Sequence, residues 1–128
     1  MFIPTGFNTV TPYFFVERAA DFLDFLVQGL GGKEIDRHMD GNRIANAQVR
    51  LGTSTVMLSE ASPAFPATAA SYYLYVESAD EAMTKAVTAG AAQISAVADK
   101  PYGERQGGIR DKHGNIWWLS QRLVPGPY

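Results

Sequence analysis

YGERQGGIRDKHGNIWWLSQ, residues Tyr102 to Gln121, reads as two strands joined by a turn. Gly107 to Arg110 forms the incoming strand. Asp111-Lys112-His113-Gly114-Asn115 is the turn, rich in residues that tolerate tight bends and left-handed dihedrals. Ile116 to Ser120 is the outgoing strand, built from aromatic and branched residues that suit a pleated surface. Trp117 and Trp118 are adjacent on that strand, so they point to opposite faces. One tryptophan enters a core and the other lines whatever lies on the far side. A sheet with two apolar faces follows, of the kind that curves around a pocket.

Upstream, the chain spells out the rest of the same arrangement twice. Thr9 to Val16 is expected to be a strand, with Pro12 placing it at an edge or marking its start. A helix follows over Ala19 to Leu30, with an apolar stripe of Phe22, Phe25, Leu26 and Leu30 and a stop at Gly31-Gly32. Glu34 to Arg37 is a short strand, Asp40-Gly41-Asn42 a hairpin turn, and Ile44 to Leu51 and Thr55 to Ser59 two further strands. Residues 61–70 are a Pro/Ala linker, expected to be a joint and not a functional loop. Tyr72 to Val76 opens the second set as a strand. Ser78 to Glu81 is a capping box that starts a helix running to about Ala89, with Ala82, Met83, Ala86 and Val87 inward and Gly90 as its stop. Gln93 to Ala96 is a strand, and Asp99 to Gly103 a loop.

The two sets match residue by residue. At an offset of 60, Tyr13 pairs with Tyr73, Val16 with Val76, Glu17 with Glu77, Ala19 with Ala79 and Val27 with Val87. About one such identity is expected from composition over that window. Arg50 pairs with Arg110 at the same offset, and after one inserted residue Leu58-Ser59 pairs with Leu119-Ser120. The chain therefore reads as an internal repeat of a βαβββ module. Module one spans about 9–60, module two about 71–122, and 123–128 is a tail, all within a single domain of 128 residues. The fold class is α+β, with mixed sheets curved around a cavity.

Composition narrows the function. Hydrophobic residues make up 46% and aromatics 12%, which is a folded, not a disordered, chain. A net charge of −2 gives no footprint for nucleic acid or an anionic membrane, and no stretch approaches a membrane span. There are no cysteines, which removes disulfides, thiolate nucleophiles and cysteine metal sites. MFIPTGFN has neither the basic region nor the apolar run of a leader, so a cytoplasmic location is expected.

Paired βαβββ modules closed by Tyr-Gly-x-Arg, Arg-Asp-x-x-Gly-Asn and an aromatic strand resemble the glyoxalase/bleomycin-resistance/dioxygenase family, the vicinal oxygen chelate superfamily, over about Thr9 to Arg122. The resemblance implies the fold more than the function. Family members include metal-dependent isomerases, lyases and dioxygenases, and also metal-free drug-binding proteins, often as homodimers. The resemblance places the metal ligands on four strands, at Thr11, Met57, Ser71 and Trp118. None is an imidazole or carboxylate. A one-residue shift gives Val10 or Pro12, Val56 or Leu58, Ala70 or Tyr72, and Trp117 or Leu119, which does not restore the set.

Strand alternation puts Tyr13 and Phe15 beside Thr11, Tyr73 and Tyr75 beside Ser71, and Ile116 and Ser120 beside Trp118. These rings either fill a core or line a cavity suited to a flat ligand. Phe14, Val16, Leu74, Val76, Trp117 and Leu119 are expected to face the helices. Asn46 alternates with Ile44 and Gln48 and is expected on the concave side. Arg105 offers a planar fork for an anionic or carbonyl group, or pairs with Glu104 or Asp111. His38 and His113 sit beside turns and are expected at the surface. The expected ligand contacts are Tyr13, Phe15, Asn46, Met57, Tyr73, Tyr75, Tyr102, Arg105 and Trp118, with no cofactor. The expected function is a metal-free binding protein of bleomycin-resistance type, a homodimer that sequesters a planar or amphipathic small molecule. The alternatives are a glyoxalase-like lyase or dioxygenase with a displaced metal site built from His38, Glu60 or Glu104, and a scaffold kept for protein contacts alone.

Overall fold

The computed structural model describes residues 1–128, which divide into two compact units, Met1–Thr68 and Ala69–Tyr128. In the first, β1 (Tyr13–Val16) leads into α1 (Ala19–Gln28), then β2 (Lys33–Asp40), β3 (Arg43–Leu51) and β4 (Ser54–Glu60). In the second, β5 (Ser71–Tyr75) and α2 (Ala79–Thr88) precede β6 (Ala92–Lys100), β7 (Glu104–Arg110) and β8 (Ile116–Arg122). Each unit is a βαβββ module with one open four-stranded sheet, ordered β1-β4-β3-β2 and β5-β8-β7-β6. β1 lies parallel to β4 and β5 to β8, while the other pairings are antiparallel. The repeat read at offset 60 is thus a repeat of topology, and its register agrees: Tyr13 pairs with Met57 as Tyr73 pairs with Trp118.

Each sheet has one face against its helix. In module one Phe14, Val16, Ala47, Val49 and Leu58 meet Phe22, Leu23 and Leu26 of α1, all buried. In module two Trp117, Leu119 and Ile109 are buried, with Met83 and Ala86 of α2. Gly107 makes that packing possible, because a Cβ there would stand 2.7 Å from the Met83 methyl. The two tryptophans divide as their adjacency requires. Trp117 is buried, its Nε1 donating to Asp111 Oδ2 at 2.9 Å and its ring stacked on Tyr72. Trp118 takes the other face, its ring over Gly108, where a Cβ would come within 2.6 Å of it.

The helix starts use different chemistry. Ser78 Oγ accepts from Glu81 N at 3.2 Å, the cap foreseen for α2. α1 has no side-chain cap from its own N-cap residue, Arg18, which is left-handed at φ 53°. Glu60, at the end of β4, accepts instead from the backbone N–H of Arg18 and Ala19, both at 3.0 Å. Its repeat mate Gln121 does the same for Ala79 N at 3.0 Å.

Several boundaries differ from the sequence expectation. β1 begins at Tyr13, not Thr9, since Pro12 brings no N–H; its carbonyl still accepts from Met57 N at 3.0 Å. α1 ends at Gln28, before Leu30, with Gly29 as its C-cap. Val87 is exposed and not inward, because only Ala79, Met83 and Ala86 of α2 reach the core. β2, β6 and β7 are longer than expected. Asp99 and Lys100 belong to β6 and not to a loop, and β7 opens at Glu104, three residues before the expected Gly107.

Candidate functional site

The face of each sheet opposite its helix carries the polar and aromatic chemistry. Register places Tyr13, Phe15, Met57, Ser59 and Gln48 together in module one. Asn46 Nδ2 donates to the Tyr13 hydroxyl at 3.2 Å and lies 3.8 Å from Met57 Sδ. The Tyr13 and Ser59 hydroxyls are 2.5 Å apart, and Ser59 Oγ donates to Ala45 O at 2.9 Å. The bonds therefore run in one direction, from Asn46 through Tyr13 and Ser59 to a backbone carbonyl.

Beside this relay lies a cleft of about 470 Å³, walled by Tyr13, Phe15, Ile44 and Phe65 and rimmed by Asp40, Arg43 and Glu60. Phe65 stacks on Phe15 with ring centroids 5.4 Å apart and 15° between planes, and Tyr13 stands 5.1 Å from Phe15, tilted by 34°. Ser62 also lines the cleft. The Pro/Ala linker is consequently more than the joint expected of it. A turn in which Ser62 N donates to Phe65 O and Phe65 N to Ser62 O brings it back over the sheet.

Module two repeats this face with different chemistry. Tyr102 donates to Gln106 Oε1 at 2.6 Å, Gln106 Nε2 to Ser120 Oγ at 3.2 Å, and Ser120 Oγ to Glu104 Oε1 at 2.5 Å. This relay ends on a carboxylate that is wholly inaccessible to solvent. Glu104 Oε2 also accepts the Tyr128 hydroxyl, which is hydrogen bonded to the Tyr75 hydroxyl in turn. Arg122 Nη1 stands 3.6 Å from the same oxygen. Burial works to raise the Glu104 pKa, but the hydrogen bonds from Ser120, Tyr128 and Tyr75 and the Arg122 charge outweigh it. The carboxyl titrates below its usual range. The hydrogen bond to Glu104 pushes the Tyr128 phenol well up, and burial followed by the neighbouring Tyr73 raises Tyr102.

The expected contacts distribute accordingly. Tyr13, Phe15, Asn46 and Met57 share the open face of module one, and Tyr73, Tyr75, Tyr102 and Trp118 cluster on that of module two. Arg105 departs from them. It pairs with Gln121 and alternates with Gln106, which turns it to the helix side. There its fork binds both Asp80 oxygens at 3.0 and 3.1 Å and Asp99 at 3.0 Å, in place of the expected Glu104 or Asp111. His38 is exposed and pairs with Asp36 at 3.0 Å, whereas the ring nitrogens of His113 are enclosed in their turn and not at the surface.

Thr11, Met57, Ser71 and Trp118 supply a hydroxyl, a thioether, a hydroxyl and an indole where a divalent ion needs imidazole or carboxylate, so they do not fit one. The displaced set fares no better. Glu60 is committed to the α1 backbone and His38 to Asp36, and no three His, Cys, Asp or Glu side chains gather closely enough to hold an ion.

Residues 6–119 match the Glyoxalase/Bleomycin resistance protein/Dioxygenase superfamily. The chain belongs to that superfamily. An uncharacterized protein of Mycobacterium bovis is 29% identical over 125 residues, covering 88% of this chain and 82% of the relative. Among solved structures, TnmS3, described as an antibiotic binding protein from Streptomyces sp. CB03234, superposes with a TM-score of 0.73 at 20% identity, covering 95% of this chain and 98% of that one. A glyoxalase-related enzyme from Fulvimarina pelagi gives 0.72 at 15% identity, with 91% and 89% covered. At these identities the likeness is one of fold, so the superfamily's binding and catalytic branches must be separated by the chemistry of the faces.

That chemistry contains groups the sequence reading passed over. Phe65, Arg43 and Asp40 line the module-one cleft, and Gln106, Arg122 and Tyr128 join the foreseen Ser120 around Glu104. One signal for them was in the repeat itself. Glu104 falls at the offset position of Ile44, a carboxylate where its mate is a core hydrocarbon.

Proposed function

We propose that this superfamily member is a metal-free small-molecule binding protein of bleomycin-resistance type, which takes up a planar or amphipathic ligand by stacking and sparse hydrogen bonding. The observation that carries this reading is the aromatic cleft of module one. Its volume of about 470 Å³ falls in the range of small-molecule sites, and its Tyr13, Phe15 and Phe65 rings leave flat surfaces for a further ring. Tyr13, Ser59, Ser62 and Arg43 give that wall a few polar contacts, with Asn46 and Met57 beside it on the same face. On the module-two face Tyr73, Tyr75, Tyr102 and Trp118 have the same character. TnmS3, an antibiotic binder by description, shares the fold and supports an antibiotic-like ligand here. The proposal includes a single domain acting as a homodimer in the cytoplasm, with no cofactor; no helix is long and apolar enough to cross a membrane.

A thermal-shift screen of flat aromatic compounds, run with and without chelator, tests it. A true ligand raises the melting temperature with the logarithm of its concentration, and chelator leaves the rise intact. Phe65→Ala, on an exposed linker ring, abolishes the response without unfolding the chain. A ligand response that requires a stoichiometric divalent ion, or that Phe65→Ala leaves untouched, overturns the reading.

A further inference from the structure

Module two buries a carboxylate that the fold does not ask for. The repeat mate of Glu104 is Ile44, which packs at the same place on β3 with 2% exposure, so the sheet is content with a hydrocarbon there. A buried carboxylate is costly unless its oxygens are hydrogen bonded and its charge is matched. Ser120 satisfies one oxygen from within the sheet. The other oxygen is satisfied from outside it, by the phenol of Tyr128.

The way Tyr128 is held is that of a ligand more than that of a core residue. Its hydroxyl bonds Glu104 and Tyr75, and one ring face lies 4.5 Å over the Arg122 guanidinium carbon. The residue as a whole is 76% exposed. Residues 123–128 have no helix or strand. They are tied down by Leu123 N to Gly103 O at 2.9 Å and by Arg122, which donates to the Gly126 and Pro127 carbonyls at 3.4 and 3.2 Å. The phenol thus reaches a deep polar anchor at the end of a thinly held segment.

We propose that Glu104, Tyr75 and Arg122 form a receptor for a hydroxyaryl group, and that Tyr128 is its intramolecular occupant, displaced when a free phenol binds. The inference deepens the small-molecule reading by naming a ligand class for module two, and rests on it. The carboxylate accepts the phenolic proton, Tyr75 bonds the phenolic oxygen, and the guanidinium lies on the ring face. Because the tethered tyrosine competes as an intramolecular ligand, the intact chain binds a free phenol only in the fraction of time its tail is open.

p-Cresol, which is the tyrosine side chain itself, is the probe, and 4-methylanisole, its methyl ether, is the control without a proton to donate. Both are titrated calorimetrically into the full chain and into Tyr128→Ala. Tyr128→Ala is expected to bind p-cresol about tenfold or more tightly than the intact chain, with no comparable gain for 4-methylanisole. Glu104→Gln added to Tyr128→Ala removes the gain. Tyr128→Ala takes one hydrogen bond from Glu104 and opens that oxygen to water, so melting curves verify the fold of both the single and the double variant. An unchanged p-cresol affinity in Tyr128→Ala, an equal gain for the ether, or a gain that survives Glu104→Gln each overturns the proposal. An equal gain for the ether leaves the aromatic-binding reading standing while the phenol receptor falls. Failure of both readings is seen when the ligand screen on module one is also blank.

Discussion

The two modules finish the same construction in opposite chemical registers. After β4 the chain doubles back and stacks Phe65 on Phe15; after β8 it doubles back and sets the Tyr128 hydroxyl on Tyr75, the repeat mate of Phe15. Ile44 shares the cleft with Phe65, and Glu104 accepts the Tyr128 hydroxyl. Module one keeps an aromatic cleft, while module two answers a buried charge with hydroxyls and a guanidinium. The lesson is that topology and register are set by the helix-facing residues, which are apolar in both copies. The opposite faces are free to diverge because the fold does not rest on them.

Exchanging the chemistry at the matched position gives the largest expected effect. Ile44→Glu would bury a carboxylate in a cleft already rimmed by Asp40 and Glu60, whose arginine, Arg43, is engaged with the Ala61 carbonyl at 3.0 Å. Leaving a buried charge uncompensated costs about 3–5 kcal/mol, read as a lower urea midpoint. A midpoint shift near zero would mean that module one is as tolerant of charge as module two, and the comparison would break.

Acid sharpens the same contrast. Hydrogen bonds and the Arg122 charge hold the folded pKa of Glu104 below its unfolded value of 4.5. The stabilisation is therefore complete above 4.5 and lost as pH falls through the lower, folded value. The stability difference between the intact chain and Glu104→Gln should be constant from neutral pH to about 5 and shrink at lower pH. A difference that grows on acidification would reverse the sign and show that the folded carboxyl titrates above its usual range.

How far the sequence announced these features follows from the distance over which each is decided. The offset of 60 residues predicts both sheets, because three of the five identities, Tyr13/Tyr73, Val16/Val76 and Ala19/Ala79, fall on residues that bond the last strand of their module. β2 was foreseen only at its centre: KEIDRHMD is exposed along its whole length, so no apolar alternation marks its ends. The aromatic face was legible from period-two alternation, and Asn46 with it. Arg105 was misplaced because its parity depends on β7 starting at Glu104, one residue before it, and that start is fixed by pairing with Arg122 far along the chain. Phe65 and Tyr128 left no periodic signal, since their positions are set by how a turn and a tail return to the sheet.

Next in size are the helix caps supplied by the last strand of each module. Glu60 accepts from two N–H groups at the start of α1, and no other side chain caps that helix. Gln121 accepts from one at the start of α2, which Ser78 caps as well. Glu60→Ala should therefore cost about 1–2 kcal/mol and Gln121→Ala about half that, measured by denaturant unfolding. Equal losses would show that charge and redundancy do not distinguish the two caps.

The smallest effect belongs to the residue whose place the sequence misjudged. Arg105 holds Asp80 and Asp99 with good geometry, and the Asp80 hydrogen bonds followed by those to Asp99 push its own pKa up while it holds that of Asp80 down. Both carboxylates are largely exposed, at 63% and 69%, so water and salt screen the pairs. Arg105→Ala should lower the melting temperature only slightly at low salt and not measurably at high salt. On the helix side of β7, its loss should also leave the affinity for any ligand of the open face where it was. A several-fold loss of that affinity in Arg105→Ala would mean the guanidinium leaves its carboxylates to meet the ligand, and the division between a structural face and a binding face would have to be redrawn.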